Sequence, residues 1–191
     1  MEQELLDEIL VPDKSALVAW DVQNMLVNRI FNKQEFLQNT KQLISTARQH
    51  DIPVFFSKIT PLPRRFESPV RKLFIKRMGG LNYSPDGLDL AIQPEEHDTV
   101  IPKHTASFFV GTHFEQMLRN ARISTIVLTG IATEIGVEST ARDASNRGFF
   151  PVIATDAVSS RSEEAHERSL QNMEKMFILQ SSQEIAGVWN K

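Results

Sequence analysis

Short β-branched apolar runs alternate with helix-period stretches along most of this chain, and that alternation limits its fold. The runs fall at residues 16–20, 53–56, 99–101, 125–128, 151–154 and 176–179. Each reads as a strand of a buried parallel sheet. Between them, Phe36, Thr40, Leu43, Ile44 and Ala47 repeat on one helical face, and Phe114, Met117, Leu118 and Ala121 on another. Asn32 with Glu35, and Thr112 with Glu115, match the spacing of a capping box. Strand, helix, strand in this order predicts right-handed βαβ units. The expected fold is a three-layer α/β/α doubly wound sandwich with a six-stranded parallel sheet. It occupies residues 1–191 as a single domain, with residues 1–14 as an acidic lead-in.

Residues 58–97 break the rhythm. They hold five of the nine prolines, a Gly79-Gly80 pair and the cations Arg64, Arg65, Arg71, Lys72, Lys76 and Arg77. No long element is legible there, and the segment reads as an irregular, lid-like insertion. The net charge of −3 gives no electrostatic footprint for nucleic acid. No apolar run approaches membrane-spanning length, and the N-terminus is acidic where a signal peptide is basic, so the expectation is a cytoplasmic protein with no membrane partner. The chain has no Cys, which removes disulfides, thiolate metal sites and thiol nucleophiles together.

The most informative stretch joins the fourth strand to the helix after it. Gly130 ends an apolar run, and from Thr133 the pattern turns helical until Arg147-Gly148 closes it. A helix that starts at the carboxyl edge of a parallel sheet gathers unpaired N–H groups there. The stretch Leu128-Thr-Gly-Ile-Ala-Thr-Glu-Ile-Gly-Val-Glu-Ser-Thr-Ala-Arg-Asp-Ala144 resembles the isochorismatase-like hydrolase superfamily, whose pattern here is roughly T-G-x-A/S-T-x-x-C-V-x-x-T-A-x-D-A. Thr129, Gly130, Ala132, Thr133, Val137, Thr140, Ala141, Asp143 and Ala144 match. The nucleophile position is Gly136 instead of Cys.

Two further landmarks carry the resemblance. Ala16-Leu-Val-Ala-Trp-Asp-Val-Gln-Asn24 is similar to the family's first strand, where the Asp transfers protons; this implies Asp21, with Gln23 near substrate. Lys103-His-Thr-Ala-Ser-Phe-Phe resembles the family's K-x-x-x-S-x-F, which implies that Lys103 stands beside Asp21 and that Ser107 and Phe109 line or support the pocket. A carboxylate at the mouth of an apolar strand is partly desolvated, which raises its pKa toward acid–base use. The resemblance also implies a cis bond before Ala132 and backbone donors at Ala132 and Gly136, with Thr133 beside them, to hold an oxyanion or substrate carboxylate.

The expected catalytic set is therefore Asp21, Lys103 and Gly136, and the expected substrate contacts are Gln23, Phe109, Ala132 and Thr133. Gly136 leaves room for an attacking water. No Asp-x-His motif or paired His occurs, so no metal and no cofactor are expected. The reading is a cysteine-independent hydrolase of a small anionic metabolite, with the cation-rich segment suited to a dicarboxylate. The resemblance further implies a homo-oligomer. The competing reading is a non-catalytic member of the fold that binds a small ligand or a protein partner. A nucleotide-binding reading fails for want of a glycine-rich phosphate loop.

Overall fold

The computed structural model describes residues 2–81 and 83–191. Its centre is a six-stranded sheet of order β3-β2-β1-β4-β5-β6. The strands are β1 (Ser15–Trp20), β2 (Val54–Ile59), β3 (Thr99–Lys103), β4 (Thr125–Ile131), β5 (Phe150–Ser159) and β6 (Ile178–Gln180). Every adjacent pair runs parallel. The order reverses between β1 and β4, so the ends of these two central strands flank the crevice where open α/β sheets bind ligands.

Strand residues alternate between two cores. Leu17, Ala19, Val54, Phe56, Val127 and Val152 face one layer, with α1 (Glu2–Ile9), α3 (Lys33–Gln49) and α9 (Ser182–Trp189). Ala16, Val18, Trp20, Phe55, Ile126, Leu128 and Ile153 face the other, with α6 (Phe114–Asn120), α7 (Glu138–Asn146) and α8 (Glu163–Glu174). Burial on both faces explains why these strands read as unbroken apolar runs. Among the described residues no helix is long and apolar enough to cross a membrane.

Several sequence expectations change. The lead-in is α1, and it buries Leu6 and Ile9 together with the following Leu10. The insertion contains α4 (Pro69–Arg77) and α5 (Pro85–Leu88), each started by a serine whose side chain accepts a backbone N–H. Neither expected capping box forms. The Asn32 side-chain oxygen instead accepts from Ser159 Oγ at 2.5 Å, and Thr112 Oγ1 accepts the Phe114 N–H while donating to Phe108 O at 2.5 Å. Ala121 lies exposed just past the end of α6. The sixth strand begins at Ile178, two residues later than the apolar run. A short additional helix, α2 (Asn24–Val27), follows the first strand.

Candidate active site

β1 delivers Asp21 to the switch point through a backbone turn. Asp21 has φ 50°, a left-handed conformation in which a short polar residue is tolerated better than a branched one. Ser57, inside β2, holds both ends of it: Ser57 Oγ accepts the Asp21 N–H at 2.9 Å and donates to Asp21 Oδ1 at 2.5 Å. Lys103, the last residue of β3, donates from Nζ to Asp21 Oδ2 at 2.7 Å. Its second partner is Thr105 O at 3.0 Å, and the face of the Trp20 ring lies 3.6 Å away. The ammonium thus meets a carboxylate, a carbonyl and a π face. The Asp21 and Lys103 side chains are 0% and 1% exposed.

Burial dominates the electrostatics. It pushes the Asp21 carboxyl up from its ordinary value, against the opposing pull of Lys103, Ser57 and Arg71. Burial also pushes Lys103 down, against the pull of Asp21. Both shifts favour the neutral forms. Arg71 contributes from the insertion. Its guanidinium donates to His104 O, and its Nε lies 3.6 Å from Glu67 Oε1. His104 in turn donates its Nδ1–H to Thr60 O at 2.7 Å. The other five cations of the cluster, Arg64, Arg65, Lys72, Lys76 and Arg77, are exposed.

Gly130 and Gly136 are required for different reasons. Gly130 has φ 121°, and a Cβ there would meet Trp20 O at 2.1 Å, so β1 and β4 approach closely at the head of the site. At Gly136 an added Cβ would lie 1.8 Å from Trp20 Cη2. The room expected for water at Gly136 is therefore filled by the Trp20 indole. The Gly136 N–H is also committed, donating to Ala132 O at 3.0 Å in the turn formed by residues Thr133–Val137. It is not an open oxyanion donor. The Ile131–Ala132 peptide bond is cis, and Ala132 borders a cavity.

Two expected substrate contacts are occupied otherwise. Gln23 donates to Ile59 O at 3.2 Å and Leu88 O at 2.8 Å, and accepts the Ile59 N–H at 2.8 Å. It ties β2 to α5 with both ends of its amide. Phe109 is buried between Phe114 and Phe149, with Arg147 over its ring, and is a core aromatic. Phe108 stacks on Phe114 at 4.3 Å, and Ser107 Oγ accepts the Phe109 N–H. Thr133 is buried, and its hydroxyl is 2.8 Å from His166 Nδ1. Ser139 donates to Ile135 O within its own helical turn. Ser57, Trp20 and His166 are the neighbours that sequence reasoning did not single out, and Arg71 was read only as one of the six cations of the insertion. An aromatic immediately before Asp21 was the one legible signal among them.

The cavity at this edge has a volume of about 120 Å³ and is lined chiefly by aliphatic and aromatic side chains, including Trp20, Ile59, Phe74, Met78 and Ile135. Arg29, Glu134 and Arg161 supply its charges. Arg29 donates to Gly80 O at 2.7 Å and Arg161 to Met78 O at 3.1 Å, closing the loop after α4 over the cavity. Ser160 Oγ donates to Glu134 Oε1 at 2.8 Å. Among the described residues, no group of three or more His, Cys, Asp or Glu side chains is placed to hold a metal ion.

A model of the isochorismatase domain matches residues 15–184. The chain belongs to the isochorismatase-like hydrolase family. It is 34% identical over 166 residues to the isochorismatase family protein YwoC of Bacillus subtilis, covering 82% of this chain and 84% of that one. It is 29% identical over 175 residues to enterobactin synthase component B of Escherichia coli; the match covers 88% of this chain and spans 60% of that protein's length. Among solved structures, an isochorismatase family protein from Burkholderia thailandensis superposes with a TM-score of 0.81. It is 29% identical and covers 94% of this chain and 97% of its own.

Proposed function

We propose that this isochorismatase-like protein is a cysteine-independent hydrolase of a small anionic metabolite, with Asp21 as the acid–base group. The observation that carries the reading is the Asp21–Lys103 pair, 2.7 Å apart and sealed at the switch point of the sheet. Removing two charges from water costs several kcal/mol per ion, and a hydrophobic pair of similar volume is often no less stable. A fold with no chemistry to perform has little reason to keep both groups here. In the proposed mechanism Asp21 delivers a proton to the substrate while Lys103 stabilises the carboxylate left behind. Water then adds to the activated carbon and gives its proton to Asp21, and the C–O or C–N bond of the adduct breaks to release the alcohol or amine. Arg29 and Arg161 at the rim favour an anionic group, and the apolar walls favour a compact hydrocarbon body.

The test is a turnover screen of the wild type with vinyl ethers, amides and carbamoyl compounds, each with and without a carboxylate. Hydrolysis of a carboxylate-bearing member is the expected result. No turnover across the panel overturns the proposal in favour of a second reading, a non-catalytic member of the fold that binds a small ligand or a protein partner. One observation favours that alternative: the indole over Gly136 fills the space a nucleophile would use and helps to close off Asp21 and Lys103.

A further inference from the structure

Trp20 stands at a boundary. It borders the cavity, its ring seats on Gly136, and its face covers the Lys103 ammonium at 3.6 Å. Asp21 and Lys103 do not line that cavity. Its volume of about 120 Å³ is also small beside the roughly 300–1,000 Å³ of ordinary ligand sites. A molecule held there meets the indole before it meets the carboxylate. The ring is held in this position by packing and by Lys103, and its Nε1–H has no hydrogen-bond partner. A buried donor without a partner weakens the closed position relative to one in which water or a ligand accepts that bond. Gly136 presents only backbone to the ring, which leaves the indole room for its closed position.

We propose that the Trp20 indole is a movable wall between the cavity and the Asp21–Lys103 pair, and that it determines which molecules reach the pair. The inference rests on the reading of that pair as the reactive centre. When the ring swings aside, the cavity and the buried pair join into one pocket. Lys103 then loses its π partner, and the entering molecule must replace it with an electron-rich group, such as a carboxylate or a conjugated oxygen. Bulk and electron density at the leading end of the substrate are thus selected at the same step. The loop after α4, pinned by Arg29 and Arg161, limits the direction from which that end arrives.

The wild-type protein carries its own reference in the backbone amides of β1 and β4, the central strands of the sheet, whose slowest exchange reports global unfolding. Deuterium exchange followed by NMR compares the Trp20 indole N–H with them. A gate makes the indole N–H exchange at least about ten-fold faster than these amides under native conditions, since local opening lies well below global unfolding. Exchange of the indole N–H at the global rate overturns the proposal. The second arm measures methylation of Lys103 by formaldehyde and cyanoborohydride, read by peptide mass spectrometry. Trp20→Ala, or Trp20→Leu if the first does not fold, raises the Lys103 rate by about ten-fold; an unchanged rate overturns the proposal. Neither arm requires turnover. A substrate screen without hydrolysis therefore counts against the proposed function alone, while an active enzyme with a static Trp20 counts against the gate alone.

Discussion

Gly136→Ala is the perturbation whose consequence follows most directly from the geometry. The new methyl carbon would lie 1.8 Å from Trp20 Cη2, 2.0 Å from Cζ2 and 2.2 Å from Cζ3. Carbon atoms in contact normally stand about 3.5–4.0 Å apart, so the ring must retreat by roughly 2 Å. Overpacking of this kind costs about 1–3 kcal/mol. Alanine recovers up to about 1 kcal/mol through its better helical propensity. With that recovery the expected net loss is about 0–2 kcal/mol, which lowers the melting temperature by up to about 8 °C in a chain of this length. Urea unfolding followed by circular dichroism measures it. The same substitution in a Trp20→Ala background meets no ring and is neutral or mildly stabilising, giving a coupling of about 1–3 kcal/mol in the double-mutant cycle. Equal effects of Gly136→Ala in the two backgrounds would refute the argument that the glycine is there for the indole.

Two further outcomes concern ionisation and stability. His166, beside Thr133, has its pKa held below the usual 6.5 by burial, although Glu134, Glu167 and Glu163 pull the other way. The unfolded chain therefore takes up this proton first as pH falls. The neutral ring contributes its full stability above pH 6.5 and loses it as pH descends toward the folded value. In urea titrations at pH 5 and 7.5, His166→Gln reduces the difference in stability between the two conditions; an undiminished difference contradicts this. Lys103→Met keeps much of the side-chain volume but strands Asp21, at a cost of about 3–5 kcal/mol while the carboxylate stays charged. Asp21, already raised by burial, then rises further without its cation. A raised acid contributes stability at low pH that is lost as pH climbs through its folded pKa. Relative to wild type, Lys103→Met is therefore least destabilised at pH 5 and most destabilised at pH 8, which the same titrations measure.

The layers of the fold were legible because its strands are buried on both sides. Leu17 faces one core and Val18 the other, so the run carries no polar interruption to blur it. Helix starts were less legible. Asn32 has the composition of a cap, but Ser159, distant in sequence, claims its oxygen. The last helix escaped notice, although Ser181 and Glu184 form a full capping box, because the sixth strand before it is only three residues long. In the site, Asp21 and Lys103 were legible as the ends of two strands that a doubly wound sheet brings together. Ser57 was not, since a serine inside a strand gives no sign that its hydroxyl will meet an aspartate on the neighbouring one. Gly136 was read as an opening because a glycine shows only what its own position lacks. The occupant, Trp20, comes from another strand, and only the packing of β1 under the turn at Thr133–Val137 reveals the match.

The proposed hydrolysis depends on the proton carried by Asp21. Asp21→Asn retains the size of the side chain and an acceptor for Ser57, while removing the group that titrates. Its turnover number, measured with the substrate found in the screen and with folding verified by thermal denaturation, tests the claim most directly. A loss of about 10²–10⁴-fold with little change in KM is the predicted result. A folded Asp21→Asn protein that turns over at the wild-type rate would contradict it.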